Sequence, residues 1–322
     1  MPNLPVTLTE AETPRLVPAA TDVMLADAGP PLGWAVPGLV GEGLTVLAGR
    51  QKIGKTWLAM HFALAVASGG KVFGTIPCEA GDVLYVDFEN GRRRIASRVR
   101  ALTASAKRAP DLVRLAWATK APAPSDDAFV AALDDWRSSV ANPRLVVVDG
   151  PPRIRLDGQL SRRLWGNDHL ALRNLQGWAI GHGLAVICVC RTRSGRVVDP
   201  EADQAGPDAF AAADATLVLD HDDIGTLTLH VSGRDVEEKL SAVAFAAGRW
   251  TLRGDAAAVR RTDSRDRILE VLEVFGDVPP SEIADQTGLS PANTRQLLSR
   301  MAREGEIYRD GWGKYRLVAH EN

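Results

Sequence analysis

One glycine-bounded loop constrains what this chain can fold into more than any other feature. Residues 49 to 56 read Gly-Arg-Gln-Lys-Ile-Gly-Lys-Thr and match the pattern G-x-x-x-x-G-K-[ST]. An apolar strand pattern, "LTVLAG", precedes the loop, and an apolar helical pattern, "KTWLAMHFALAVASG", follows it. A strand, such a loop and a helix in this order form a P-loop, whose backbone N–H groups point at bound phosphates. The sequence therefore predicts a nucleotide at the tip of a buried strand.

The loop residues have separate expected roles. Lys55 is expected to reach the β- and γ-phosphates of ATP, and the Thr56 hydroxyl is expected to ligate Mg²⁺. Contacts to the nucleotide are predicted for Gly49, Lys52, Ile53, Gly54, Lys55, Thr56 and Trp57.

Two carboxylates complete the predicted chemistry. Asp149 ends the apolar strand pattern "PRLVVVD", where P-loop NTPases keep the carboxylate that holds the Mg²⁺ shell. A second strand pattern ends in Asp87, Phe88, Glu89 and Asn90. A carboxylate at a strand end beside the P-loop can polarise the attacking water, and Glu89 is our choice for that role. Asp87 is the alternative, and Asn90 is a candidate for orienting the water.

The order of the segments predicts the architecture. Strand-like and helix-like patterns alternate from 32 to 254, which indicates a mostly parallel, RecA-like sheet sandwiched by helices. Two late patterns, "GTLTLHVSGR" and "GRWTLRG", are expected as antiparallel strands at one edge. Residues 1–31 are expected to be a flexible lead-in, and 255–263 a linker.

The remaining residues, 264–322, predict a small winged helix-turn-helix domain. Three helical patterns are followed by a hairpin that turns at "DGWG". Ser281 and Ser290 are the expected N-caps of the second and third helices, with Pro291 at the first helical position. Acidic residues outnumber basic ones in this segment, so its partner is expected to be either duplex DNA or a protein.

Composition narrows the class of protein. The chain is 45% hydrophobic and has a formal net charge of −2, which is typical of a globular protein without an overall attraction to nucleic acid. Its longest apolar runs have the length of strands, so no membrane span is expected. The first residues, "MPNLPVTLTEAETPRL", do not have the pattern of a signal peptide, and we expect a cytoplasmic location.

The stretch "LGWAVPGLVGEGLTVLAGRQKIGKTWLAMHFALAVASGG", followed by "GDVLYVDFEN", resembles RecA-fold ATPases of the RepA type. These are ring-forming replicative helicases and their relatives from plasmids, phages and integrated elements, and the resemblance covers residues 32 to 254. It implies a homo-oligomer that is expected to have six subunits and to use ATP and Mg²⁺. It also implies catalytic roles for Lys55, Glu89 and Asp149, with Thr56 and Asp149 at the metal.

The chain departs from this family at two motifs. Relatives carry a histidine-threonine pair that senses the γ-phosphate, whereas this chain has Arg191 and Thr192. Relatives carry a K-x-R whose arginine reaches the neighbouring subunit's nucleotide, whereas this chain has Ser232, Gly233 and Arg234. Arg191 is expected at the nucleotide and Arg234 is expected as the catalytic arginine finger, with a structural salt bridge as the alternative for Arg234.

The resemblance also implies DNA contacts. In RecA-like rings, two loops line the channel. Here they are the loop after the strand pattern that ends in Asp149 and the loop after the strand pattern "AVICVC". Six copies of such basic loops could hold single-stranded DNA. The residues expected there are Arg153, Arg155, Arg162, Arg163, Arg193 and Arg196. The alternative is a pair of solvated basic loops.

Three functions are compatible with the sequence. The first is an ATP-hydrolysing DNA helicase or translocase that acts on single-stranded DNA in the replication of a mobile element. The second is a regulator in which ATP binding switches DNA binding. The third is a recombination or defence ATPase that assembles on DNA without unwinding it.

Overall fold

The computed structural model describes residues 20–26, 31–104, 106, 109–150, 162–191, 212–222 and 224–318, and for 25–26 and 162–169 it describes the backbone alone. The chain divides into two compact units, Met1–Leu32 and Gly33–Asn322. The described part of the first unit contains a short helix, α1 (Thr21–Ala26), on which Val23 and Met24 are exposed.

The second unit is built on a central sheet. Its strands are β3 (Gly43–Gly49), β6 (Asp82–Asp87), β7 (Leu115–Ala118), β8 (Pro143–Asp149), β9 (Ala185–Val189), β10 (Ala215–His221), β11 (Leu227–Gly233), β12 (Lys239–Ala246) and β13 (Arg249–Asp255). Two small hairpins, β1 (Trp34–Val36) with β2 (Val40–Gly41) and β4 (Lys71–Val72) with β5 (Ile76–Pro77), lie outside this sheet.

The strand order in the sheet is β13-β12-β11-β10-β3-β9-β8-β6-β7. The strands from β10 to β7 in that order are parallel, and β11, β12 and β13 add to them antiparallel. Every residue of β3 is buried, as expected for a parallel strand covered on both faces. The predicted class, a mostly parallel RecA-like sheet with an antiparallel edge, is confirmed.

Helices cover both faces of the sheet. The helices are α2 (Lys55–Ser68), α3 (Arg92–Thr103), α4 (Asp127–Ser139) and α5 (Arg162–Gly181). One apolar core contains most of α2 with Ile95 of α3, and the other contains residues of α4 and α5. Since α2 is apolar almost all round, it is buried along most of its length.

The helix-turn-helix domain follows the sheet directly. It consists of α6 (Ala256–Phe275), α7 (Pro280–Thr287), α8 (Pro291–Arg303) and a hairpin of β14 (Ile307–Arg309) and β15 (Tyr315–Leu317). The Ser290 hydroxyl accepts a hydrogen bond from Asn293 N, and Pro291 starts α8 as predicted. The N-cap predicted at Ser281 is wrong, because Pro279 is the N-cap of α7 and Pro280 takes the first helical position.

Two further segments differ from the sequence-based expectation. β12, which reads "KLSAVAFA", was not predicted as a strand, because its Ala, Ser and Lys residues have weak strand preference. It forms because β11 and β13 pair with both of its edges. Residues 256–263, expected as a linker, are helical, because Asp255 caps Ala258 N and alanines and arginines favour a helix.

The helix-turn-helix domain is held against the sheet by the turn between β10 and β11. Ile224 of that turn is buried among the apolar residues of the helix-turn-helix core. Arg267 of α6 donates hydrogen bonds to Ile224 O at 2.6 Å and to Thr287 O at 3.4 Å. Asp263 accepts two hydrogen bonds from Arg253 of β13, at 2.9 and 2.8 Å. These contacts fix the orientation of α6 on the sheet.

No helix in the described part of the chain is long and apolar enough to cross a membrane.

Candidate nucleotide site

Strand register brings the predicted residues to one edge of the sheet. Asp87 at the end of β6 pairs with Asp149 at the end of β8, and Asp149 pairs with Val189 at the end of β9. The neighbouring strand β3 ends at Gly49. Ligands of open parallel sheets bind at this carboxyl edge. A pocket of about 460 Å³ lies there.

The pocket gathers most of the predicted site. Its lining residues are Gln51, Lys52, Gly54, Lys55, Thr56, Trp57, Glu89, Asn90, Arg94, Arg98, Asp149, Gly150, Val189 and Arg191. Of the predicted contacts, Gly49 and Ile53 belong to the loop but do not line the pocket.

The loop conformation explains its two glycines. Gly49 has φ 152°, and a Cβ there would lie 2.4 Å from the carbonyl oxygen of Leu219. Gly54 has φ 114° and is the N-cap of α2. Both conformations are unfavourable for residues with a side chain, so the loop requires glycine at both positions. Arg50 anchors the loop by donating to Asp220 at the end of β10, at 3.0 Å.

Lys55 is buried at the base of the loop. Its Nζ donates to Gly49 O at 2.6 Å and to Arg50 O at 2.7 Å. Burial, assisted by the nearby positive charge of Arg191, lowers the pKa of Lys55 to about 8. The ammonium group therefore remains mainly protonated at neutral pH and can neutralise phosphate charge.

Asp149 is the second buried charge of the pocket, with 2% of its surface exposed. Burial raises its pKa to about 6, while hydrogen bonds from the Tyr85 and Thr56 hydroxyls oppose the rise. The Tyr85 hydroxyl donates to Asp149 Oδ2 at 2.8 Å.

The oxygen atoms of Asp149 and Thr56 fit a magnesium ion. Mg²⁺ prefers oxygen ligands and takes only one or two carboxylates, with water and phosphate completing its shell. Among the described residues, no group of three or more His, Cys, Asp and Glu side chains could hold a metal. The donor set is thus of the kind that shares Mg²⁺ with a nucleotide, and a bound cation would favour the charged form of Asp149.

Glu89 and Asp87 lie in different surroundings. Asp87 is 1% exposed and accepts hydrogen bonds from Glu89 N at 3.0 Å, Asn90 N at 2.8 Å and the Asn90 amide. Its carboxylate therefore holds the turn after β6. The Glu89 side chain is 42% exposed and forms an ion pair with Arg191. It crosses over Gly150, where an added Cβ would lie 2.3 Å from Glu89 Cγ. This arrangement favours Glu89 over Asp87 as the group that faces a reacting water.

Arg94 and Arg98 of α3 also line the pocket, although they were not predicted to do so. Arg94 donates to Asn90 Oδ1 at 3.1 Å, and Arg98 lies 5.5 Å from the ring centre of Trp57. Arg94 and Arg98 are four residues apart on one face of α3, and this spacing is a signal that could have revealed them.

Arg234 lies away from the pocket of its own chain. Gly233 pairs with Ala215 at the start of β10, whereas Leu219, four residues further on, pairs with Gly49. Arg234 therefore lies near the other end of the sheet, roughly 13 Å or more from the P-loop at about 3.3 Å per residue. It forms an ion pair with Asp214 at 3.2 Å and is 64% exposed.

The arginines predicted to line a DNA channel cannot be placed. Arg153, Arg155, Arg193, Arg196 and Thr192 lie outside the described residues, as do the side chains of Arg162 and Arg163.

The fold and the pocket define a RecA-fold ATPase with a C-terminal helix-turn-helix. The chain belongs to the AAA domain family, whose profile matches residues 10–196. The profile of the IclR helix-turn-helix domain matches residues 264–311.

A solved structure described as "The Structure Of A DnaB-Like Replicative Helicase And Its Interactions With Primase" is similar to this chain, with 16% identity and a TM-score of 0.47. The match covers 65% of this chain and 57% of the other. No curated protein matches the sequence significantly.

Proposed function

We propose that the protein is an ATP-hydrolysing DNA helicase or translocase of the RepA type, which forms a ring on single-stranded DNA in the replication of a mobile element. The observation that carries the ATPase part is the meeting of Lys55, Thr56, Asp149 and Glu89 in one pocket. In this proposal residues 32–254 form the motor domain, 255–263 a helical connection and 264–322 the winged helix-turn-helix domain.

The P-loop residues bind the triphosphate. Backbone N–H groups between Gly49 and Thr56 surround the phosphates, and Lys55 exchanges its bonds to the loop carbonyls for phosphate oxygens. Thr56 and Asp149 would hold Mg²⁺, which would supply positive charge beside the triphosphate.

Glu89 acts on the attacking water. It accepts a proton while the water oxygen bonds to the γ-phosphorus and the bond to the bridging oxygen of ADP breaks. The ion pair with Arg191 has to rearrange first, because the guanidinium occupies one of the carboxylate oxygens that would accept the proton. Arg191 is then available for the γ-phosphate, which suits its position after β9.

Arg234 supplies charge to the pocket of a neighbouring subunit. Its exposure and its distance from its own pocket support a role in trans. An arginine finger of this kind contributes about 10³–10⁵ in rate, so an isolated subunit is expected to hydrolyse ATP slowly.

Assays of ATP hydrolysis and strand separation with single-stranded DNA test the proposed motor. The purified protein should hydrolyse ATP faster with single-stranded DNA and should separate strands, and Lys55→Ala should abolish both activities. Imaging with an ATP analogue and single-stranded DNA should show closed rings. Hydrolysis unchanged by Lys55→Ala would exclude this site, and filaments or dimers would exclude the ring.

A mixing experiment tests Arg234. Lys55→Ala lacks a working pocket and Arg234→Ala lacks a working finger, so each should be inactive alone. Their mixture should regain part of the activity, because some interfaces then combine an intact pocket with an intact finger. If the mixture stays inactive and Arg234→Ala has lost stability, the ion pair with Asp214 is the role of Arg234.

A second candidate function is an ATP-switched DNA-binding regulator. The direct contact between α6 and the β10–β11 turn favours it, because β10 also carries Asp220, which holds Arg50 of the P-loop. A footprint at one duplex site that changes with ATP, without strand separation, would support the regulator. Assembly on DNA with hydrolysis but without unwinding or closed rings would support a recombination or defence ATPase.

A further inference from the structure

A tyrosine in the middle of β6 contacts the carboxylate that is proposed to hold the metal. Tyr85 is in register with Val147 of β8, and Asp87 is in register with Asp149. Side chains alternate along each strand, so Tyr85 and Asp149 face the same side of the sheet. The Tyr85 hydroxyl donates to Asp149 Oδ2 at 2.8 Å, and both side chains are buried.

Packing fixes the position of this hydroxyl. The ring of Tyr85 lies 4.5 Å from the ring of Trp117, its register partner on β7, and the two planes make an angle of 30°. Tyr85 belongs to the apolar core that contains α2 and does not line the nucleotide pocket. A phenylalanine would fill the same space, and a buried hydroxyl costs free energy unless it is hydrogen-bonded. The hydroxyl is therefore explained by Asp149 and not by packing.

The two neighbouring carboxylates receive different donors. Asp87 accepts hydrogen bonds from Glu89 N and from the backbone and side-chain amides of Asn90, so the turn after β6 holds it. Asp149 accepts hydrogen bonds from the hydroxyls of Tyr85 and Thr56. Thr56 is itself a proposed ligand of Mg²⁺, so a bound ion would compete for its hydroxyl oxygen. Tyr85 lies on the core side of Asp149, and its bond can persist when an ion is bound.

We propose that Tyr85 is a positioning residue, which orients the Asp149 carboxylate for Mg²⁺ and disfavours Ca²⁺. The phenol engages one carboxylate oxygen and leaves the other for the ion. Mg²⁺ requires nearly octahedral geometry and uses one or two carboxylates, whereas Ca²⁺ accepts about six to eight oxygens, often two from one carboxylate. A carboxylate that is held at one oxygen suits the smaller ion better. This inference rests on the proposed nucleotide site and adds a residue that selects its metal.

Nucleotide binding in the presence and absence of metal measures this role without hydrolysis. The full-length protein is titrated with a fluorescent, non-hydrolysable ATP analogue in EDTA, in excess Mg²⁺ and in excess Ca²⁺. The metal coupling is the Kd in EDTA divided by the Kd with the ion. Tyr85→Phe should leave the Kd in EDTA unchanged and lower the coupling for Mg²⁺ by about tenfold or more. The coupling for Ca²⁺ should fall much less.

Two further variants separate the hydroxyl from packing. Tyr315→Phe removes the same atom from a buried tyrosine of the helix-turn-helix core, and this matched control should change neither coupling. Trp117→Phe keeps the Tyr85 hydroxyl but reduces the ring that holds it, so the Mg²⁺ coupling should fall by a smaller factor than in Tyr85→Phe. Circular dichroism checks that each variant is folded. If Tyr85→Phe does not fold, an unchanged Mg²⁺ coupling in Trp117→Phe overturns the proposal.

Failure of this inference differs from failure of the proposed function. A wild type with the same nucleotide affinity in EDTA and in Mg²⁺ would overturn the proposed metal site and the role of Tyr85 together. A wild type that depends on Mg²⁺, with an unchanged coupling in folded Tyr85→Phe, would overturn the role of Tyr85 alone. Equal losses of affinity in EDTA and in Mg²⁺ would show that the hydroxyl shapes the pocket and does not position the metal ligand. Equal losses of coupling for Mg²⁺ and Ca²⁺ would overturn the selection between the ions.

Discussion

The nucleotide pocket differs in its charged groups from a second cleft, the α6–α8 cleft, which lies between α6 and α8. The α6–α8 cleft is lined by Arg260, Arg261 and Arg300. In the pocket, Lys55 and Asp149 are buried, and a strand end and backbone groups fix their positions. In the cleft, Arg261 is exposed on a helix surface, and its position depends on how two helices pack. Substitutions in the pocket should therefore alter the rate of ATP turnover and the free energy of unfolding, because they change buried charges. Substitutions in the cleft should instead change an electrostatic attraction that salt screens.

A large loss of ATP turnover is expected at Glu89. Glu89→Gln removes the proton acceptor, so ATP turnover should fall by about 10²–10⁴. Affinity for nucleotide and the unfolding temperature should change little, because the side chain is 42% exposed. Turnover assays and calorimetric titration check both quantities.

Asp87 provides the contrasting case for Glu89. Asp87→Ala leaves buried N–H groups of the turn unpaired, which should cost about 1–3 kcal/mol of unfolding free energy. Retained turnover in Glu89→Gln together with lost turnover in a folded Asp87→Asn would assign the base to Asp87 instead.

Asp149 should show a trade between stability and activity. Its folded-state pKa, about 6, lies above the usual value of 3.8 for an aspartate, so the folded state binds the proton more tightly. This contribution stabilises the fold below about pH 4 and is lost as pH rises through 6. Asp149→Asn should therefore be more stable than the wild type above pH 6, by at most about 3 kcal/mol.

Asp149→Asn should also lose Mg²⁺-dependent ATP hydrolysis. Mg-ATP should raise the unfolding temperature of the wild type but not that of Asp149→Asn. Denaturant titrations from pH 4 to pH 8 check the sign. A wild type that gains stability relative to Asp149→Asn as pH rises would contradict the burial argument.

Substitution of Arg267 tests the contact that joins the helix-turn-helix domain to the sheet. Arg267→Ala leaves the carbonyl groups of Ile224 and Thr287 without their donor, at a cost of about 1–3 kcal/mol. Hydrogen exchange should rise in the β10–β11 turn and in α6, while the P-loop remains protected. Unchanged exchange in α6 would show that Ile224 and the ion pair of Arg253 with Asp263 hold the domain in place without Arg267.

The smallest effect is expected at the partly exposed ion pair of Arg253 and Asp263. The side chains are 41% and 21% exposed, so Arg253→Gln should cost less than about 1 kcal/mol. The loss should shrink at high salt, and a salt-independent loss would indicate that the pair acts mainly by shape. Thermal melts at two salt concentrations measure it.

Local sequence signals indicated residues that line the pocket, because each of these residues belongs to a short motif or ends an apolar strand pattern. The glycines and Lys55 lie in one loop, and Asp149 ends a strand whose apolar run is unmistakable. Sequence spacing did not reveal that Tyr85, two residues before Asp87, reaches Asp149, because this contact depends on the register between β6 and β8.

Other features of the structure were not predicted from the sequence, because local patterns do not specify them. β12 has weak strand preference and becomes a strand through its two neighbours. The start of α6 lacks an apolar stripe, so periodicity could not distinguish it from a connecting segment, although its cap and composition favour a helix. The cleft joins residues from α6 and α8 that are about thirty positions apart, which no local pattern relates.

The uninterrupted course of α6 has a mechanical meaning. The helix has 20 residues, about 30 Å at 1.5 Å per residue, and it leaves β13 without an intervening coil. No coil that could serve as a hinge separates the helix from β13. If ATP binding or hydrolysis tilted the sheet, α6 would transmit that tilt to the wing and to any partner bound there.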